Sequence, residues 1–124
     1  MIKLVFPLRR REGMPREEFQ RYWREDHAPL VRRHAETLGI RRYVQVHTRE
    51  TPLDEALTAS RGPEEPAYDG VAELWWDSLE DLIAAYSTDE GQAAGAELLE
   101  DEKRFIDLPH SPLWLAEENV VIDG

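Results

Sequence analysis

One histidine of the chain lies on the apolar face of a predicted helix. At about 100° per residue, a helix places His27 in one stripe with the side chains of Phe19, Trp23, Leu30, His34 and Leu38. Burial disfavours the charged imidazolium and lowers a histidine pKa, which suits a general acid or base. Core histidines held by a hydrogen bond have the same surroundings. The pattern therefore indicates either proton transfer or core packing for His27.

Two residues on predicted strands are candidates to act with His27. Glu73 lies in an apolar stretch, where a carboxylate must be paired, hydrogen-bonded or protonated. It either forms a salt bridge with an arginine of a neighbouring strand or partner subunit, or it faces His27 and orients one tautomer for proton transfer. Tyr43 is either a hydrogen-bond donor to a developing enolate or a packing residue. The predicted catalytic set is thus His27, Glu73 and Tyr43.

We expect a small hydrophobic ligand to bind between the first helix and the sheet. The residues predicted to contact it are Trp23, Leu30, His47, Trp75 and Phe105. We predict no metal site, because no His-x-x-x-His or His-Glu-x-x-His spacing occurs and His27 lies two helical turns from His34. The chain has no cysteine and therefore no thiol nucleophile.

The first half of the chain predicts a strand, a long helix and a second strand. Residues 2–9 alternate as a strand, in which Pro7 indicates an edge or a bulge. The helix is predicted over residues 15–38, with Gly39 as its stop. Pro29 cannot donate a backbone hydrogen bond, so we expect a kink or a break near His27. Residues 42–48 are rich in β-branched and aromatic side chains and predict the second strand.

The second half predicts two more strands and a helical segment between them. Strands are predicted over residues 71–76 and 113–122. One helix is predicted from after Ser78 to about residue 86, and a second from the capping box Ser87-Thr88-Asp89-Glu90 to about residue 103. The long connection 49–68 has room for a short helical turn over residues 53–60. The order is β-α-β-β-α-β, which predicts a ferredoxin-like α+β fold with a four-stranded antiparallel sheet and helices on one face.

Composition limits the partners of the protein. The chain has 124 residues, with 26 acidic and 15 basic side chains and a formal net charge of -11. Such a surface repels phosphate backbones and anionic lipid, so we expect neither nucleic acid nor a membrane as a partner. No stretch approaches the roughly 20 apolar residues of a membrane helix. We expect a cytoplasmic protein whose residues 1–124 form one domain.

One face of the predicted sheet has no cover within the chain. Val44, Val46 and part of the strand over residues 71–76 are too apolar to face water. A second copy of the same sheet is the simplest cover, and twofold dimers are the commonest soluble oligomers. The sequence therefore predicts a homodimer.

Three blocks of the sequence resemble the EthD-domain family, a branch of the dimeric α+β barrel superfamily. The first is Phe19-x-x-Tyr22-Trp23-x-x-x-His27-x-Pro29-Leu30-Val31, and the second is Asp69-Gly70-Val71-Ala72-Glu73-Leu74-Trp75-Trp76-Asp77-Ser78. The third is Asp101-Glu102-x-x-Phe105-Ile106-Asp107, followed by the pair Glu117-Glu118. The resemblance implies a ferredoxin-like subunit, a dimeric α+β barrel and no tightly bound organic cofactor. It also places His27 at the family's histidine position.

The resemblance leaves the reaction open, because function depends on the site rather than on the fold. Relatives include decarboxylases and dehydratases of aromatic polyketide pathways, polyketide cyclases and cofactor-independent monooxygenases. Our leading hypothesis is a cofactor-free lyase or isomerase that decarboxylates, dehydrates or cyclises an aromatic or polyketide-like substrate by proton transfer through His27. The alternatives are a cofactor-independent monooxygenase and a non-catalytic, ligand-holding accessory protein for a neighbouring oxygenase.

Overall fold

The computed structural model describes all residues, Met1 to Gly124, and places four strands in one antiparallel sheet. In chain order the elements are β1 (Ile2–Leu8), α1 (Arg16–Tyr22), a π-helical turn (Trp23–His27), α2 (Ala28–His34), β2 (Arg42–His47), α3 (Asp54–Ala59), β3 (Gly70–Trp76), α4 (Leu79–Tyr86), α5 (Asp89–Glu102), a 3-10 turn (Leu108–His110) and β4 (Trp114–Ala116). The strand order is β2-β3-β1-β4. The predicted ferredoxin-like α+β architecture is confirmed.

The helices cover one face of the sheet, which we call the inner face. Alternate residues of β1 point towards the helices, and Phe6 and Leu8 are buried there against Phe19 and Phe105. A second cluster joins α2 to α5 through Val31, Leu38, Ala94 and Leu98. The two clusters leave space between them, and that space is the cavity described below.

The long first helix changes its geometry where the sequence predicts an irregularity. Residues 23–27 form a π-helical turn, in which the Ala28 backbone N–H donates to the Trp23 carbonyl five residues back. Pro29 explains the change, because it has no N–H to donate and its ring would clash with the carbonyl four residues earlier. The predicted end at residue 38 is wrong. Regular α-helix stops at His34, and irregular turns lead to Gly39, which has a φ of +70°.

The last strand is much shorter than the predicted span of residues 113–122. Strand β4 comprises only Trp114–Ala116, which pair with residues 3–5 of β1. The strand ends where the chain reaches two consecutive glutamates, and Glu118 turns back to accept a hydrogen bond from Trp75 Nε1 at 3.1 Å. Strand β1 lies inside the sheet and still contains Pro7. The short β4 pairs only with residues 3–5 of β1, so Pro7 is on the unpaired part of that edge and needs no N–H there.

Helices α4 and α5 begin where the sequence predicts, although Thr88 and not Ser87 caps α5. The Ser78 hydroxyl accepts a hydrogen bond from the Asp81 N–H at 3.1 Å, and the Thr88 hydroxyl accepts one from the Gly91 N–H at 2.9 Å. Helix α3 confirms the short helical segment expected in the connection 49–68. No helix of the chain combines the length and the apolar character that crossing a bilayer requires.

Candidate active site

The His27 imidazole is held by a carboxylate from the far end of the chain. Its Nδ1 lies 2.7 Å from Asp101 Oδ2, which α5 presents to the π-helical turn. The second carboxylate oxygen accepts a hydrogen bond from the Tyr22 hydroxyl at 2.6 Å. Because a carboxylate only accepts, His27 Nδ1 carries the proton and Nε2 has the free lone pair. This pairing fixes both the tautomer and the orientation of the ring.

Packing around His27 removes it from water. The residue is 5% exposed, and its ring lies 5.0 Å from the ring of Phe105, centroid to centroid. Burial lowers the pKa of His27 below its ordinary value, and the hydrogen bond and charge of Asp101 oppose this shift without cancelling it. The imidazole is therefore neutral at neutral pH, with Nε2 available as a base.

His27 borders a cavity of about 430 Å³ between the helices and the inner face of the sheet. Leu4, Phe6, Leu74 and Trp76 form its floor, and Leu99 and Leu113 are among its more exposed lining residues. Cavities of this size hold small organic molecules. His27 Nε2 makes no hydrogen bond within the chain and is not among the fully buried unpaired atoms, so it stays accessible. His27 thus lines a cavity in the place where the sequence predicts the ligand, between the first helix and the sheet.

Tyr43 lines the same cavity from β2. Its hydroxyl oxygen accepts a hydrogen bond from Gln45 Nε2 at 2.9 Å, and the same amide group donates to the Trp23 carbonyl. The phenolic proton has no acceptor in the chain and is free to meet a ligand oxygen. Burial raises the pKa of Tyr43 to about 12, so the phenol remains a donor at neutral pH. The donor role of Tyr43 stays a prediction, for which its position in the cavity lining supplies the geometry.

A second acid, Glu102, lines the cavity and was not a predicted site residue. It follows Asp101 at the end of α5 and lies near Tyr43 and Tyr86, whose pKa values its charge raises. Burial, reinforced by the neighbouring charge of Asp101, raises the pKa of Glu102 to about 7. At neutral pH a large fraction of Glu102 therefore carries a proton.

Two predicted site residues lie on the other side of the sheet, which we call the outer face. Glu73 points away from the helices and accepts a hydrogen bond from Lys3 Nζ at 3.1 Å. The expectation that it faces His27 is wrong, and the salt-bridge alternative is the observed one, with a lysine in place of an arginine. Trp75 lies on the outer face with Glu73, where the cationic groups of Lys3 and Arg42 each lie over its ring. It therefore cannot line the inner cavity.

Of the other predicted contacts, only Trp23 lines the cavity. Leu30 packs against the cluster between α2 and α5, and Phe105 supports the His27 ring from behind. His47 stacks on Trp23 at 4.5 Å between ring centroids, and its Nε2 lies 2.8 Å from Gln45 Oε1. The predicted ligand contacts of these three residues are wrong. The three side chains pack behind the residues that line the cavity.

The missed acids have a signal in the sequence. Leu98, Asp101, Glu102 and Phe105 are spaced i, i+3, i+4 and i+7, which puts both carboxylates on the buried stripe of α5. Buried acids inside an apolar stripe need a partner or a proton. Nowhere in the chain do three or more His, Asp or Glu side chains converge as a metal ion would require.

The fold and its cavity place the chain in a structural class, and its sequence places it in a family. The sheet order and the helices on one face make the chain a ferredoxin-like α+β protein with a cavity between its two layers. The profile of the EthD domain family matches residues 11–109, and the chain belongs to that family. A comparison with curated proteins finds no match.

Solved structures share the fold. An ethyl tert-butyl ether D (EthD) family protein from Bacillus halodurans is 25% identical, with 96% of this chain and 99% of that chain covered and a TM-score of 0.63. A dimeric, ferredoxin-like protein of unknown function from Bacteroides fragilis is 14% identical, with 94% and 95% covered and a TM-score of 0.57. SnoaB, a cofactor-independent oxygenase from Streptomyces nogalater, is 12% identical, with 99% and 97% covered and a TM-score of 0.54.

Proposed function

We propose that this protein binds a small hydrophobic molecule in the inner cavity and catalyses a cofactor-free lyase or isomerase step on it by proton transfer through His27. The observation that carries the proposal is the His27–Asp101 pair, with Nδ1 held at 2.7 Å and Nε2 open to an apolar cavity. A neutral imidazole whose tautomer is fixed is a ready general base.

The cavity residues divide the proposed reaction between them. His27 Nε2 removes a proton from a carbon next to a carbonyl group of the ligand, and Asp101 stabilises the imidazolium that forms. The electron pair of the C–H bond moves towards the carbonyl oxygen, where the Tyr43 hydroxyl donates a hydrogen bond to the developing charge. Trp23 and the leucines of the lining exclude water. Dehydration, cyclisation and isomerisation all begin with such a step.

The proposal can be tested without the natural substrate. Nitrobenzisoxazole is a flat, neutral aromatic whose ring opens when a base removes its one acidic C–H proton. The N–O bond breaks, a nitrile forms, and the oxygen leaves as a coloured phenolate. We expect the purified protein to accelerate this elimination, and His27→Gln to lower kcat/KM by roughly a hundredfold or more. Unfolding of His27→Gln measured in parallel should show a loss of at most about 2 kcal/mol, because the amide can still donate to Asp101.

His110→Gln is the matched control. His110 also bonds to an acid, Asp107, but its side chain is 74% exposed and does not line the cavity. This variant should retain full activity. Equal rates for the wild type, His27→Gln and His110→Gln would contradict the proposal. Binding of β-naphthol, followed by tryptophan fluorescence, without any elimination would instead support the accessory-protein alternative.

The cofactor-independent monooxygenase is the second candidate. The fold shared with SnoaB, described as a cofactor-independent oxygenase, keeps this reaction open for the same cavity. The two reactions differ in their co-reactant, since only the oxygenase consumes O₂. We expect turnover of bicyclic phenols and ketones to proceed equally in anaerobic buffer. A strict requirement for O₂ would assign the site to oxygenation.

We also propose that the active form is a cytoplasmic homodimer. The outer face leaves Val46 45% exposed and the adjoining edge strand leaves Trp114 49% exposed, and a second copy of the sheet would bury both side chains. The dimeric state described for the Bacteroides fragilis protein supports the same assembly. Light scattering should give about twice the subunit mass of 14.4 kDa. Val46→Lys, which adds like charges across a twofold contact, should yield monomers, and a wild-type monomer would contradict the proposal.

A further inference from the structure

The cavity holds one unpaired carboxyl group and no cation to balance it. Glu102 lines the cavity, and its side chain makes no hydrogen bond or ion pair with any residue of the chain. No lysine or arginine is among the lining residues. The remaining polar groups there are the side chains of His27, Tyr43, Tyr86 and Gln92 and the indole N–H groups of Trp23 and Trp76. A carboxyl group that is half-buried in an apolar cavity and has no partner is stabilised by a proton or by a ligand that pairs with it.

Burial and the negative charge of Asp101 both favour the protonated form of Glu102. Asp101 precedes it on α5, Tyr43 faces it from β2 and Tyr86 from α4, while His27 on the π-helical turn lines the same cavity. None of these groups supplies a positive charge while His27 is neutral. In contrast, Asp101 is satisfied by His27 and Tyr22. Two consecutive acids of one helix thus have different environments.

We propose that Glu102 is the second proton-transferring group of the site, and that it restricts the ligand to uncharged molecules with a carbonyl or hydroxyl oxygen. This inference rests on the proposed function, in which His27 is the base. The protonated carboxyl group can donate to a ligand oxygen. An anionic ligand would meet a carboxyl group that easily loses its proton, and no cation to pair with.

The proposed step is an enolisation that needs no co-reactant. His27 Nε2 takes a proton from the carbon next to the carbonyl group, and the C–H electron pair forms the C=C bond. The carbonyl π pair moves to oxygen, which takes the proton of the Glu102 carboxyl group. The products are an enol, an imidazolium and a carboxylate. Return of the enol proton to Glu102, with reprotonation of carbon by His27, restores both groups.

The same restriction separates the candidate reactions. Decarboxylation begins from a carboxylate, and the cavity offers that charge no cationic partner. Isomerisation, cyclisation and dehydration begin from neutral ketones and alcohols, which the Glu102 carboxyl group and the Tyr43 hydroxyl can both bind. The structure therefore favours a neutral keto or hydroxy compound as the substrate class.

Paired probes of one shape test the charge selection. β-Naphthol is neutral and β-naphthoate is anionic, and tryptophan fluorescence reports the binding of either one because Trp23 and Trp76 line the cavity. At about pH 8, where Glu102 has lost its proton but naphthol keeps its own, we expect the wild type to bind naphthol at least tenfold more tightly, which is about 1.4 kcal/mol. Glu102→Gln should reduce this preference severalfold. Equal affinities of both probes for the wild type would overturn the selection.

A proton-exchange experiment tests the acid role. β-Tetralone is a neutral bicyclic ketone whose α-protons exchange with deuterium in D₂O, as NMR shows directly. For the wild type, kcat/KM should fall with rising pH as Glu102, with its pKa of about 7, loses its proton. Glu102→Gln keeps a hydrogen-bond donor but cannot transfer a proton, so exchange should drop at least tenfold and that pH dependence should vanish.

Glu100→Gln is the matched control, because Glu100 lies two residues earlier on α5 with its side chain 68% exposed. It should behave as the wild type in both experiments. Unchanged exchange and pH profile in Glu102→Gln, with activity still lost in His27→Gln, would overturn the Glu102 inference and leave the proposed function standing. Elimination and exchange that are both absent from the wild type would instead remove the proposed function itself.

Discussion

Replacing Asp101 by asparagine removes one negative charge beside His27 with almost no change in shape. In the native protein one carboxylate oxygen accepts from His27 Nδ1 and the other from the Tyr22 hydroxyl. The amide can keep both contacts, with its oxygen towards His27 and its NH₂ group towards Tyr22, because a tyrosine hydroxyl accepts as well as donates. Asp101→Asn therefore tests the charge rather than the position of the ring.

The expected magnitude follows from the two hydrogen bonds. Bonds to a charged group contribute about 1.5–3 kcal/mol, and their neutral counterparts about 1 kcal/mol. We expect the free energy of unfolding to fall by about 1–3 kcal/mol. The imidazolium formed during proton abstraction loses a similar stabilisation, so kcat/KM for nitrobenzisoxazole should fall roughly ten- to a hundredfold.

The charge also acts on two pKa values in the same direction. Asp101 raises the pKa of His27, although burial lowers it overall, and it adds to the effect of burial in raising the pKa of Glu102. Asp101→Asn should therefore lower both pKa values. Histidine NMR shifts measure the first, and the falling limb of β-tetralone exchange against pH measures the second. Asp107→Asn, a change at another acid that bonds a histidine, is the control and should move neither.

The pKa values of His27 and Glu102 distinguish the loss of a charge from a distortion of the site. A loss of activity alone could follow from any distortion of the site. A fall of both pKa values is specific to removal of a negative charge near His27 and Glu102. If the pKa of His27 stays constant or rises in Asp101→Asn, the assignment of Nδ1–H···Oδ2 as a charge-assisted bond is wrong.

Three further changes test the fold and the buried charges. Gly70→Ala should lower stability by about 1–3 kcal/mol in denaturant, because the new Cβ would lie 2.5 Å from the Trp23 ring. Asp69→Asn should lower the free energy of unfolding by about 2 kcal/mol at neutral pH. Burial raises the pKa of Asp69, but bonds from two arginines lower it overall. The stabilisation by Asp69 is therefore lost as pH falls through that lowered pKa. Glu102→Gln should raise stability above about pH 7 by up to about 3 kcal/mol, because the raised pKa of Glu102 opposes folding as pH rises from 4.5 through 7. Denaturant titrations at several pH values measure both acids.

The element order could be predicted from the sequence because each element has a local signal. Alternation predicts β1, the serine and threonine caps mark the starts of α4 and α5, and Pro29 marks the irregular turn in the first helix. The short β4 could not be predicted, since its end depends on contacts of Glu118 with Trp75 and Lys3 across the sheet.

The site could be predicted only in part, for a related reason. The helical stripe identifies His27 from local spacing alone, but its partner Asp101 is 74 residues away. Alternation correctly separates Glu73 from its inner-face neighbours on β3, yet both faces of this central strand are apolar. No local signal says which face the helices cover. Only the packing of α5 decides that Asp101, and not Glu73, reaches the imidazole.

Burial has opposite effects on the two proton-handling groups of the cavity. In water a glutamate ionises well below the pKa of histidine, so the two groups together form an ion pair near neutral pH. In this cavity burial lowers the pKa of His27 and raises that of Glu102 to about 7. Their order is thereby reversed, and close to neutral pH a neutral base and a neutral acid line the same space. The apolar packing that stabilises the fold thus also prepares both groups for proton transfer.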